Sequence, residues 1–583
     1  MSRKFLLANS TRYPRFCASN ASSTEPAVGV VATALSGHYS AAMPSLRAWM
    51  RRVTGFLLSN PAAIPALTAA YVAAGIVLVL TDYTLNNEGV LIHYYASWAR
   101  RDFVPVFFFQ RVHPVLCALF GPISAGGARV TLVAHVVVAA TAIPMMAATA
   151  RSFGYRLPNL QALVVALSPL YFYGGPAGFS NVDGVVGIAL VLYLLCVRRQ
   201  AFAAGLVAGL LPWVRFELTI FSAVMALYAL ATERARPMLL GMALFPLAYA
   251  GAGVFYHHDT LWIAHFPGSA PFDPGNPIYQ NQKIGLRYLL EPVVAVTPVA
   301  VLAAALRVGQ LGRLERALLA YAVLTAIMMD VLPIFHIANF GAMPRYLLHI
   351  LPALALLVGR ALEPWWEGER SNAGVMLGTA FLTLWVATRQ LDGRATEILV
   401  VAYALVLAAA WLRAGTLATA FAVGLALTGP LLPLRTEVTR AATAKYLDPM
   451  LAWLKAHPER SAGPIYTNGQ LLALFLERRL PGVDVYHMAG TDMARELTLL
   501  TNGENGQRDR ILRLCAADLY GRTVFPPITP EDLPHDALLA LRDDVRLPLL
   551  LPPATWSSRL ELLAETPDCR IARLRPAAVA ARP

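Results

Sequence analysis

Between Asp82 and Pro114 the chain carries a polar, aromatic-rich stretch flanked by apolar runs. It opens on Asp82-Tyr83-Thr84-Leu85-Asn86-Asn87-Glu88-Gly89 and continues through Ile92-His93-Tyr94-Tyr95-Ala96-Ser97-Trp98-Ala99-Arg100. It closes on Gln110-Arg111-Val112-His113-Pro114. A carboxylate such as Glu88 or Asp82, at the mouth of a water-filled cavity, can take a proton from a hydroxyl or hold a divalent cation. The middle piece has the amphipathic, aromatic character of a helix lying in a membrane interface. The competing assignment is that Asp82 and Glu88 merely cap the preceding apolar run and solvate its end.

Other clusters carry candidate chemistry. Phe179-Ser180-Asn181-Val182-Asp183-Gly184 follows Tyr171-Phe172-Tyr173-Gly174-Gly175-Pro176, whose glycines and proline predict a turn. Asp183 is either a second functional acid or, like Asn181, a cap on the next helix. Trp213-Val214-Arg215-Phe216-Glu217 lies between two apolar runs, where Arg215 and Glu217 either pair with each other or serve a polar site. Gly341-Ala342-Met343-Pro344-Arg345-Tyr346 opens a late apolar run. The Arg345 fork suits two oxygens of a phosphate, unless it only snorkels to headgroups.

Segment 257–287 holds His257, His258, Asp259, His265, Lys283 and Arg287. Adjacent histidines point apart in any regular structure, so no metal site is expected there. Its prolines and glycines predict an irregular loop over the cavity, from which Lys283 or Arg287 could assist Arg345. Asp330 falls inside an apolar run; it is a functional candidate, a buried neutral acid or the partner of a neighbouring arginine.

These groups need a scaffold, and composition defines it. Of 583 residues, 57% are hydrophobic and only 14% charged, with a mean hydropathy of +0.53. Such a chain is a polytopic membrane protein. The net charge of +13 does not imply nucleic acid, because the basic residues sit at the ends of apolar runs, as at Arg51, Arg151, Arg198, Arg234 and Arg313. At about 20 residues per span, the runs near 61–81, 128–150, 158–174, 182–197, 201–214, 218–232, 238–256, 288–306, 317–335, 346–362, 374–390, 396–412 and 415–434 give about thirteen helices. The charge bias places the N-terminus in the cytoplasm and the segments 82–113, 175–183, 257–287 and 336–345 together on the extracytoplasmic side. Trp365 and Trp366 read as anchors of a cytoplasmic loop over 364–373.

Three regions follow: a weakly structured cytoplasmic segment over 1–54, a membrane region over 55–436, and a soluble extracytoplasmic region over 437–583. In the last, Ile465-Tyr466-Thr467 and Val483-Asp484-Val485-Tyr486 are strand-like and Gln470–Arg479 is helical, which predicts a small α/β domain. Cys515 and Cys569 both fall there and could pair outside the cytoplasm; their spacing alone does not establish the bond.

An acid after the first span, an interfacial helix, a His-Pro turn, an Arg-x-Glu and a late Arg-Tyr, in this order, resemble the GT-C glycosyltransferases. That family uses polyprenyl-phosphate-linked sugars and includes protein mannosyltransferases and bacterial aminoarabinose and arabinosyltransferases. The resemblance covers about residues 55–435 and implies a helical GT-C-like membrane fold. Where the family usually has an Asp-Glu pair, this chain has Asn87-Glu88. The resemblance then implies Glu88 as general base, with Asp82 as fallback, and Asp183 as a second acid that orients the acceptor or joins Glu88 at a metal ion. It implies Arg345 as the phosphate ligand, and His113, Arg215, Glu217, Lys283, Arg287 and Tyr346 as further substrate-binding residues. It admits a divalent cation, Mg or Mn, and no other cofactor. The expected partners are a polyprenyl-phosphate sugar, membrane lipids and a lipid, glycan or protein acceptor, at a bacterial inner membrane. A flippase for a lipid-linked glycan, and an inactive GT-C-like scaffold, are the alternatives.

Overall fold

The structure, a computed structural model, describes residues 55–81, 87–101, 103–108, 113–265, 311–334, 344–366, 447–460, 463–467, 470–480, 482–487, 537–542, 560–566 and 569–575. The segment 1–54, the runs near 288–306, 374–390, 396–412 and 415–434, and Asp82, Lys283, Arg287 and Cys515 lie outside the described residues.

Among the described residues, three helices are long and apolar enough to cross a membrane: Ala63–Leu80, Ala128–Ser152 and Pro237–His257. At 1.5 Å per residue, the 21-residue Pro237–His257 helix is about 30 Å long, the thickness of a hydrocarbon core. Val77, Leu80, Val137, Leu227, Leu240, Leu247 and Phe255 point outward from the bundle. In water such a surface would drive aggregation, whereas acyl chains cover it at no cost. The chain is an integral membrane protein.

A further apolar stretch is bent. The run read as a single span over 158–174 is two helices, Pro158–Leu167 and Pro169–Ala177, interrupted at Ser168. Gly174, Gly175 and Pro176 are helical, so the turn predicted there lies later, at Gly178-Phe179. Beyond it, Ser180–Cys196 leaves at 112° to Leu170–Ala177. The whole of 175–183 is buried instead of forming a polar surface loop. Pro364, Trp365 and Trp366, expected in a loop, belong instead to the Leu351–Trp366 helix.

Asn87-Glu88 likewise stand in the first turn of a helix, Asn87–Arg101, not in an open loop. One side of this helix is covered: Ile92, His93, Tyr95, Ala96, Ser97 and Ala99 are all buried. Ile92 and Ala96 join the core of the membrane bundle, and His93 Nδ1 lies 2.9 Å from Thr131 Oγ1 of the Ala128–Ser152 span. Tyr95 and Ala99 join a second core with Leu451, Leu454, Leu472, Phe475 and Leu476 of the C-terminal region.

That region builds a five-stranded sheet in the order β2-β1-β3-β5-β4: β1 Ile465–Thr467, β2 Val485–His487, β3 Leu538–Arg542, β4 Leu560–Thr566 and β5 Cys569–Leu574. β1 runs parallel to both β2 and β3, with Ile465 opposite Val485 and Leu538, while β5 is antiparallel to β3 and β4. The parallel β1–β2 pair is connected through the helix Gln470–Arg479. Cys569 is buried at the start of β5.

One close approach sets the height of the Asn87–Arg101 helix. A side chain on Gly89 would run into the carbonyl of Ala177, and one on Gly178 would come within 2.6 Å of Gly89 Cα. Backbone therefore meets backbone where the helix starts. G89A should cost about 1–3 kcal/mol of stability by forcing these segments apart. G251A, where an added methyl meets nothing within 4 Å, should be neutral or gain up to about 1 kcal/mol. Unfolding of the purified variants in detergent checks both; equal midpoints would refute the close-approach account.

Candidate active site at the helix break

The break is closed by backbone chemistry. Gly178 adopts a left-handed conformation (φ 72°), and the amides of Gly178 and Phe179 donate to Gly175 O and Gly174 O at 3.1 and 2.9 Å. This is a Schellman closure, which satisfies the last carbonyls of one helix and frees the chain to start another. The helix Ser180–Cys196 then turns its N-terminus, a partially positive end, into the junction. Asn181 and Asp183 are inside this first turn and make no capping hydrogen bond, so the capping assignment does not hold.

Asp183 is buried, and its Oδ2 lies 2.8 Å from His135 Nε2 of the Ala128–Ser152 span. The other imidazole nitrogen, Nδ1, is 2.7 Å from Gly175 O. Asp183 Oδ1 and both amide atoms of fully buried Asn181 have no hydrogen-bond partner among the described residues. Buried polar atoms in that state are uncommon and mark places where a polar ligand can bind.

Two arginines converge on the same corner. Arg215 donates to Glu217 through Nη2 at 2.8 Å and Nε at 3.2 Å, and its Nη1 donates to Ser180 Oγ. Its guanidinium also stands 5.3 Å from the ring centre of Tyr346. Arg345 lies 5.6 Å from that ring and 5.3 Å from Phe179. The series Phe179, Arg345, Tyr346, Arg215 thus alternates ring and cation beside the helix break. Arg345 is half-buried against rings.

Glu217 sits in a short 3-10 turn between two apolar helices. Burial pushes its pKa up, but the charge and hydrogen bonds of Arg215 outweigh this, with a smaller contribution from His349, and the net shift is downward.

Of the residues expected at the site, Asp183, Arg215, Glu217, Arg345 and Tyr346 meet at this corner. Glu88 adjoins it through Gly89, which rests on Ala177 and Gly178; the Glu88 side chain is outside the described residues. His113 takes a left-handed conformation (φ 55°) before Pro114–Phe120, and the contacts described here do not join it to the corner. Asp82, Lys283 and Arg287 are not described. Sequence reasoning missed His135 and His349. His135 had a signal: a single ionisable residue within an apolar span is a functional candidate by default. Among the described residues no three His, Cys, Asp or Glu side chains form a group able to hold a metal ion. A divalent cation would need Glu88 or another side chain beyond them.

The chain is similar to the structure of ArnT from Cupriavidus metallidurans bound to undecaprenyl phosphate, with a TM-score of 0.51 and 17% identity, covering 88% of this chain and 99% of that one. Apo ArnT from the same organism aligns with a TM-score of 0.47 and 14% identity, over 87% of this chain and 98% of that one. No family model matches the sequence, and no curated protein does. The chain therefore has the GT-C glycosyltransferase fold.

The Arg215–Glu217 pair provides a check on the corner's energetics. R215M strands a buried carboxylate and should cost about 3–5 kcal/mol. Because the pKa of Glu217 is lowered on folding, its ion pair stabilises the protein fully above the ordinary value of 4.5 and loses its effect as pH falls through the lower folded value. E217Q should thus unfold at lower temperature than the unsubstituted protein at pH 7. The gap should narrow below pH 4.5; a gap that stays constant with pH would show that Glu217 is not ionised.

Proposed function

We propose that this chain is a membrane glycosyltransferase that moves a sugar from a polyprenyl-phosphate donor to an acceptor hydroxyl on the extracytoplasmic side of a bacterial inner membrane. The observation that carries this reading is the alternation of Phe179, Arg345, Tyr346 and Arg215 beside a buried acid with one unpaired oxygen. The fold shared with a protein crystallised with undecaprenyl phosphate supports a polyprenyl-phosphate partner. About thirteen spans, a cytoplasmic N-terminus and an extracytoplasmic C-terminal α/β domain complete the reading.

In the reaction, the acceptor oxygen bonds to the anomeric carbon as the bond from that carbon to the phosphate oxygen breaks. The hydroxyl proton passes to Glu88, or to Asp82 in its place. Charge grows on the departing polyprenyl phosphate, where the Arg345 guanidinium meets two oxygens. Arg215 is committed to Glu217 and Ser180, so it holds Tyr346 and the start of the Ser180–Cys196 helix in place. Asp183 orients the acceptor through Oδ1. Neither Lys283 nor Arg287 is needed for these steps; both remain candidate phosphate ligands, and His113 a candidate acceptor contact.

A helix broken at 112° is also what a transporter of lipid-linked glycan would use. Turnover separates the two. Purified protein incubated with a panel of labelled polyprenyl-phosphate sugars should release polyprenyl phosphate. E88Q should lower kcat by about 10²–10⁴-fold with the fold retained, and R345M should raise KM for the donor about tenfold or more. Transport across vesicles without release of polyprenyl phosphate would favour the transporter, and indifference to E88Q the scaffold.

A further inference from the structure

We propose that His135 is a positioning residue for Asp183, holding the carboxylate by one oxygen so that the other faces the substrate. The inference rests on the transferase reading above.

Gly175 O can only accept a hydrogen bond, so His135 Nδ1 carries a proton. Nε2 then faces Asp183 Oδ2 at 2.8 Å, a contact that also requires a proton between its two atoms. The pair is either an imidazolium against a carboxylate or a neutral imidazole against a carboxylic acid. In both cases Oδ2 is engaged and the carboxyl group cannot turn, which leaves Oδ1 as the oxygen available to a ligand. A third group that orients an acid in this way is the general logic of catalytic constellations.

The two partners of the imidazole stand on opposite sides of the helix break. Gly175 belongs to the helix before it and Asp183 to the helix after it. Gly178, which ends the first of these helices, is also the backbone on which Gly89 rests. His135 therefore references Asp183 to the same helix end that carries the start of the Glu88 helix. Phe120 packs beside the imidazole, with ring centres 5.6 Å apart, and keeps it from swinging away.

Two near-isosteres separate orientation of Asp183 from simple bracing of the break. The amide nitrogen of glutamine falls near the position of histidine Nε2 and can still donate to Asp183, whereas that of asparagine falls near Nδ1 and can donate only to Gly175. Full-length purified variants are assayed for release of polyprenyl phosphate from a polyprenyl-phosphate sugar. H135N should lower kcat about 10–100-fold with KM within about threefold, and H135Q should recover most of that loss. If H135N unfolds, the D183N background decides: H135Q should cause no further loss there, since its effect passes through the missing carboxylate. H135Q no better than a folded H135N, or an undiminished further loss from H135Q in D183N, overturns this inference alone. Absence of release by the unsubstituted protein overturns the transferase reading and this inference with it.

Discussion

A helix that turns through 112° inside an apolar bundle must satisfy its backbone without water, and the arrangement of the corner follows from that constraint. Each stranded N–H or C=O would cost several kcal/mol, of the order of 2–7. The left-handed Gly178 spares the last carbonyls by folding its own amide and that of Phe179 back onto Gly175 and Gly174. The second lone pair of Gly175 O is then free for His135. The next helix begins with its positive end buried, and polar side chains collect there: Ser180 on Arg215, and Asp183 on His135.

The corner also shows how charge is kept inside such a bundle. Arg215 and Glu217 neutralise each other at close range, and His135 and Asp183 share a proton between them. Stacking on rings, as at Phe179 and Tyr346, orients the Arg345 guanidinium.

Much of the scaffold was legible because its signals are local. The spans Ala63–Leu80, Ala128–Ser152 and Pro237–His257 are long apolar runs, and strand β1 and the helix Gln470–Arg479 fall on the pieces whose composition reads as strand-like and helical. The break was misplaced because Gly174, Gly175 and Pro176 are turn formers in water. In a bundle without water the helix is the state that satisfies the backbone, and it runs on to Gly178. Trp365 and Trp366 mislead in the same way, as residues of a loop that turn out to continue a helix. The His135–Asp183 and Arg345–Phe179 contacts join residues 48 and 166 positions apart. No spacing rule reaches that far, and averaging over an apolar window hides a single histidine.

The Asn87–Arg101 helix shows why the C-terminal region cannot be treated as an appendage. Gly89, His93 and Ser97 follow one another at i, i+4 along the side that meets the helix break and Thr131. Tyr95 and Ala99, also at i, i+4, lie on the neighbouring side, in one core with the helices Asp448–Ala456 and Gln470–Arg479. The helix is thus wedged between two cores, with Glu88 in its first turn. Without the C-terminal layer, Tyr95, Ala99 and Cys117 would lose their cover, and the helix would be held on one side only. A one-sided helix is free to rock about the Gly89–Gly178 contact, which would carry Glu88 with it. Two-sided packing is what lets a residue in a first helical turn keep a fixed distance from an acid on another helix.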